Sequence, residues 1–375
     1  GLEFADVVEP HADFFQAVRR REALKEMLEK DDTPRRVRLK MLAVCARAEP
    51  RIDDILRHLL DELADDGDDW MRLIERSGLC DFMWDQLERA YGYASESPSL
   101  RDFVITLFES CYAMGVGDTP GLNSDALVFL KQWKDSVRHG EAFGTLSADC
   151  AKILSIEQDL QSRDYRTLLG VEIFELVDRK ILSDLVREVA KGTISSTEVD
   201  RLVRRRRQSH WYPEYEDEYA AVEEGAAFID ALEQNDLTVH APGSSGVARV
   251  IERYARLWYQ LDQRYRKFIH HVRQSGQTTL FDALSKRVEN LYTNAYLLQL
   301  NNQWQVVLDD LDAWRAGSIL PQREFFERLV QPFLARDNKV FVVISDGLRY
   351  EVGEELLRLI RQEDRYDADI EPALT

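Results

Sequence analysis

For more than three hundred residues this chain follows one rule: an apolar side chain every three or four positions, with almost no alternation. That spacing lines one face of a helix, so it restricts residues 1 to about 336 to packed helices. The stretch "VEIFELVDRKILSDLVREVA", which begins at Val171, shows the rule well, with Phe174, Val177, Ile181, Leu185 and Val189 along a single stripe. Helices are also expected from Asp13 to about Lys30, at 35–47, 51–64, 69–77, 80–91, about 99–114, 125–138 and about 147–161. Further on they are expected at 195–206, 214–233, about 303–315 and 321–335. Thr33 before Pro34 reads as an N-cap. Two longer helices, about 247–274 and 278–300, should pack as an antiparallel hairpin after a linker at "HAPGSSG", 240–246. Only 18 Gly and 10 Pro occur, too few for a turn-rich β fold. No fixed-period repeat appears, so the stack is irregular.

The rule ends at Asp337. "KVFVVIS", 339–345, is an apolar, β-favouring run without helical period, which suits a strand buried on both faces. A helix at 349–362 follows, with Val352, Leu356, Leu359 and Ile360 on one side, and "DADIEPAL" begins to alternate. Strand, helix, strand in so short a space is a βαβ unit feeding a parallel sheet. One such unit leaves its sheet faces bare, so the sheet is expected to continue in residues this chain lacks. The fold class is therefore mainly α: an irregular multi-helix scaffold followed by the first βαβ unit of a truncated α/β domain. The division expected is a helical subdomain at 1–162, a second with the long hairpin at 163–336, and the α/β segment at 337–375. The opening "GLEFADVVEP", without an initiator Met, reads as a processed or excised piece.

Composition narrows the function. A net charge of −19 repels phosphates and disfavours the chain as a nonspecific binder of DNA or anionic membranes, although a local basic patch can override it. Cys45, Cys80, Cys111 and Cys150 lie far apart, which disfavours a zinc cluster or a disulfide framework. No signal peptide or membrane span is evident, and the cytoplasm is the expected address.

Asp346 is the first candidate, because it stands just past the carboxyl end of the expected strand, where open α/β folds collect ligands and metals. It suits a metal ligand and an N-cap of the next helix equally well. A second candidate is the run Arg204, Arg205, Arg206 and Arg207 with His210 and Trp211, whose guanidinium groups suit phosphates and whose aromatics suit bases. Glu214, Glu216, Asp217 and Glu218 stand ready to neutralise it, and four consecutive residues point all round a helix. Solvated or paired arginines are the plainer reading. The adjacent His270 and His271 lack metal-binding spacing, and the acidic stretch 61–70 lacks an EF-hand register. No phosphate-binding Gly-rich loop occurs.

The stretch "VFVVISDGLRYEVGEELLRL" resembles the opening motif of the PglZ family, with Asp346, Gly347, Leu348, Arg349, Tyr350 and Glu351 in its order. Gly347 stands where the family often has Ala. Two more stretches, "RRRRQSHWYPEYEDEYAA" at 204–221 and "YTNAYLLQLNNQWQ" at 292–305, resemble the type I PglZ proteins of BREX phage defence. The resemblance implies an alkaline-phosphatase-like domain, metal-dependent phosphoester hydrolysis and other BREX components as protein partners, with DNA also in reach of the assembled system. It puts Asp346 at the first metal-ligand position, for Zn, Mn or Mg. The remaining ligands and the nucleophile are expected outside the chain, so these residues alone should bind no metal and contain no catalytic residue. Two roles are expected: a scaffold that docks partners and carries the hydrolase domain, or a helical module that presents DNA through Arg204–Arg207.

Overall fold

A computed structural model describes residues 5–238, 243–309, 311, 314, 316–317 and 319–374. The chain is mainly helical, as the apolar spacing requires, with a two-stranded element toward its C-terminal end. The helices used below are α1 (Pro34–Ala46), α2 (Ile52–Ala64), α3 (Cys80–Tyr91), α4 (Leu100–Val116), α5 (Ser124–Lys134), α6 (Gly140–Ile153), α7 (Leu176–Lys191) and α8 (Ser196–Arg206). They continue with α9 (Glu216–Gln234), α10 (Gly243–Arg253), α11 (Tyr259–Ser275), α12 (Thr278–Asn290), α13 (Leu298–Asp309) and α14 (Tyr350–Gln362). The chain forms two compact units. One holds residues up to Ile181 with Arg205–Glu214, and the other holds Leu182–Arg204 with Tyr215 onward. The division expected from the sequence, at 162 and 336, is drawn from changes of pattern along the chain.

In the first unit local chemistry places the helix ends. Thr33 Oγ1 accepts the Arg36 N–H at 3.3 Å to start α1, as its position before Pro34 suggests. Ser99 and Asn123 cap α4 and α5 in the same way. The expected helix near 147–161 is broken at Ser155, whose left-handed backbone (φ 53°) ends α6 and restarts the chain as Ile156–Ser162. The segment expected as one helix from Asp13 likewise breaks at Ala17, which is extended. At the core, Phe108 lies 6.0 Å from Trp133, 5.5 Å from Phe143 and 5.7 Å from Phe174, ring to ring. All four side chains are fully buried. Cys45, Cys111 and Cys150 are core residues, and all four thiols are unpaired.

In the second unit α9 packs closely on α11. A Cβ on Gly225 would come within 3.1 Å of the Phe268 ring, so glycine here sets how near the two helices stand. The expected hairpin forms: α10 neighbours α13 and α11 neighbours α12, with Gly276 (φ 65°) at the turn. Both arms contain a π-helical stretch, Tyr254–Trp258 in one and Leu291–Leu297 in the other. Arg287 donates to the last carbonyls of α7, at Val189 (3.1 Å) and Ala190 (3.0 Å). The expected linker at 240–246 falls partly outside the described residues, with α10 beginning at Gly243. The helix expected at 303–315 is described as the end of α13, and much of the rest lies outside the described residues.

The C-terminal segment departs most from the expected βαβ unit. Helix α14 forms where expected, but residues 338–345 adopt no regular secondary structure and join no ladder among the described residues. An apolar run becomes a strand only when a neighbour takes its N–H and C=O groups. Among the described residues none does so here. Phe341, Val343 and Ile344 are 89%, 90% and 85% exposed. Strand β2 (Ala373–Leu374) falls in the stretch expected to alternate and pairs in parallel with β1 (Leu320–Pro321), just before helical turns that run from Gln322 to Leu334 where a helix was expected. On α14 the expected apolar side is largely uncovered, with Leu356 and Leu359 about half exposed.

Candidate functional site

Asp346 lies in a two-residue turn between the apolar run and α14, and it is exposed. It does not cap the helix. The N-cap position is Arg349, and no side chain accepts a hydrogen bond from the first turn. Among the described residues no group of three or more His, Cys, Asp or Glu side chains is placed to hold a metal ion. Asp346 is therefore a single accessible carboxylate.

The residues after it are tied down. The Tyr350 hydroxyl donates to the Ala255 carbonyl (3.3 Å) and to Glu354 (2.9 Å), and its ring lies 6.0 Å from Tyr254 and 5.9 Å from Tyr259. Burial first, and then the Glu354 carboxylate, push its hydroxyl pKa up. Glu351 is fully buried and meets two guanidinium groups, Arg266 Nε at 3.1 Å and Arg349 at 2.7 Å. The Gln263 side-chain amide donates to the Glu351 carbonyl at 3.2 Å. One turn on, Glu355 pairs with Arg266 and, at 3.1 Å, with Lys267. Burial alone would raise the Glu355 carboxyl, but hydrogen bonds from Arg266 and Lys267 hold it below the usual range.

Beneath this contact Asp262 accepts three tyrosine hydroxyls: Tyr254 at 2.6 Å, Tyr292 at 2.8 Å and Tyr296 at 3.3 Å. The two π-helical stretches supply all three. Burial and the Asp262 carboxylate push each hydroxyl pKa well above the ordinary tyrosine value. Tyr292 also stacks on Tyr265 with centroids 3.7 Å apart. Gln263, Arg266, Lys267 and Glu355 escaped the sequence reading, because their partners lie about ninety residues away. One signal was available: Glu351 and Glu355, like charges at i and i+4, disfavour α14 unless cations from elsewhere meet them.

The arginine run is dispersed. Arg204 pairs with Asp200 at 2.9 Å on its own helix and is exposed, as are Arg205 and Arg207. Arg206 is fully buried, with Nε 3.0 Å from Asp178 Oδ1 and a terminal nitrogen 2.5 Å from Oδ2. It also donates to the Leu169 (3.0 Å) and Val171 (2.9 Å) carbonyls, so its donors face the core and not a phosphate. His210 packs edge-on against Phe143, and burial followed by the charge of Lys134 lowers its pKa. The Trp211 indole donates to the Glu172 carbonyl at 3.2 Å. His271 pairs with Asp217 at 2.7 Å, and Glu62 in the acidic stretch accepts the Trp70 N–H at 3.0 Å, which gives both features structural partners. No helix among the described residues is long and apolar enough to cross a membrane.

Comparison with known proteins follows the same line. Residues 325–375 match the BREX system PglZ alkaline phosphatase-like domain. The chain is 24% identical, over 379 aligned positions, to the alkaline phosphatase-like protein PglZ of Bacillus cereus (strain H3081.97), covering 97% of this chain and 44% of that protein. It is 27% identical, over 395 positions, to the alkaline phosphatase-like protein BrxZ of Escherichia coli O9:H4 (strain HS), covering 96% and 45%. The chain thus spans a little under half the length of these relatives. No solved structure matches it. A metal pair of the kind the superfamily implies needs several oxygen and nitrogen donors around it. Asp346, alone on its turn, does not fit that requirement by itself. Residues 325–375 thus match a PglZ alkaline phosphatase-like domain, and nearly the whole chain is similar to PglZ and BrxZ proteins.

Proposed function

We propose that residues up to about 336 act as a helical scaffold in a BREX defence protein, docking other components of the system and carrying a metal-dependent phosphoester hydrolase domain. The domain match at 325–375 carries this reading. Asp346, exposed past an apolar run, contributes one ligand for a divalent metal such as Zn, Mn or Mg. The other ligands and the nucleophile come from residues this chain does not contain, and these residues alone hydrolyse nothing.

The test has two parts. Full-length protein should cleave a phosphodiester probe in a metal-dependent way, the 375-residue chain should not, and Asp346→Ala should abolish cleavage by the full-length protein. Activity in the 375-residue chain, or survival of activity in the full-length Asp346→Ala protein, would remove the ligand assignment. Co-purification of this chain with the other BREX components tests the scaffold role, which fails if none associates.

A further inference from the structure

The turn that carries Asp346 has no ladder on its N-terminal side and no side-chain cap on its C-terminal side. Helix starts of that kind fray, because their first N–H groups lack partners. Here the start is held from outside. Arg349, the N-cap, and Arg266 on α11 close on the carboxylate of Glu351, and Gln263 holds the Glu351 carbonyl. Only Glu351 and Leu357 on α14 are buried, so the helix has little apolar anchorage of its own. Its first turn depends on a carboxylate removed from water, and a carboxylate stays there only while cations meet it.

We infer that Arg266 is a positioning residue: through Glu351 it fixes the first turn of α14, and with it the turn that presents Asp346. The long hairpin thereby sets where the phosphatase-like segment points its carboxylate. This deepens the reading above, since it takes that turn as the beginning of the domain's chemistry. Lys267 reinforces the contact through Glu355, and Tyr350 adds a neutral tie to the π-helical stretch at the Ala255 carbonyl. The cation, not the bulk of its side chain, carries the effect.

Amide hydrogen exchange on the 375-residue chain tests it, with Arg266→Ala, Arg266→Lys, Arg266→Met and Glu351→Gln compared against wild type. Exchange across residues 347–357 should speed at least tenfold in Arg266→Ala, Arg266→Met and Glu351→Gln, while α12 serves as an unchanged reference. Arg266→Lys should restore most of the protection. Wild-type exchange in Arg266→Met, or equal loss in the Lys and Met variants, overturns the proposal, because the charge would then be irrelevant. The Lys and Met variants decide the matter even if Arg266→Ala does not fold. The measurement uses neither metal nor substrate, so its failure is distinct from failure of the hydrolase reading, which Asp346→Ala in the full-length protein reports.

Discussion

Phe108, Trp133, Phe143 and Phe174 are fully buried, whereas Phe341, Val343 and Ile344 are almost fully exposed. The exposed set comes from an unbroken apolar run, the buried set from helices whose apolar residues are interleaved with polar ones. Helical apolar stripes in the first unit meet complementary stripes within the same unit. The run at 341–344 has nothing beside it among the described residues. Hydrophobicity supplies a tendency to bury, and only a partner surface satisfies it. The same contrast divides the charges. Arg206 and Asp178 form a closed pair in the core, while Arg204 and Asp200 form one in water.

The comparison sharpens most where burial is complete. Asp178→Ala should destabilise the first unit by about 3–5 kcal/mol, since it leaves the Arg206 guanidinium buried and unmatched. Urea unfolding followed by tryptophan fluorescence measures this, and a loss below about 1 kcal/mol would mean that water reaches Arg206. Gly225→Val should cost about 1–3 kcal/mol by overpacking Phe268, read as a lower melting temperature.

Acid should act next, and selectively. Glu355 is paired with Arg266 and Lys267 and keeps its carboxyl below the usual range. A carboxylate depressed in the folded state adds stability above its unfolded pKa of about 4.3, and that stability is lost as pH falls through the lower folded value. Lowering the pH below about 4.3 should therefore loosen α14 before the α9–α11 core, as proteolytic cutting near residue 350 would show. Simultaneous loss of both would contradict it. Arg204→Ala should cost no more than about 0.5 kcal/mol, because its pair is exposed and lies within one helix. Phe341→Asp should leave stability within about 0.5 kcal/mol while reducing binding of an apolar dye. A large loss there would show that the run is covered in solution.

Much of this was legible in the sequence. Thr33 and Pro34 announced α1, and the stripe from Phe174 to Val189 proved fully or almost fully buried. Gly276 sits where the hairpin turns, and α14 begins within a residue of the expected place. Strand β1 was not legible, because two residues have no period to detect and their partner is more than fifty residues away. The fate of 339–345 was misread for a related reason: composition gives the propensity for a strand, while the ladder depends on a neighbour. Arg206 looked like its three neighbours, and only the fold separates a buried guanidinium from exposed ones. Asp346 stood out because a local pattern brackets it, whereas Arg266 and Glu351 belong to a pattern visible only once α11 and α14 are side by side.

The π-helical stretch at Tyr254–Trp258 sets a phase. Its wider winding shifts every later residue of α11 around the axis relative to α10. Deleting a single residue there would rotate Gln263, Arg266 and Lys267 together by about 100°. No substitution downstream would return all three to Glu351 and Glu355. Chain length within this arm is thus as binding as residue identity, and an insertion or deletion in 254–258 should be tolerated only with a compensating one before Gln263.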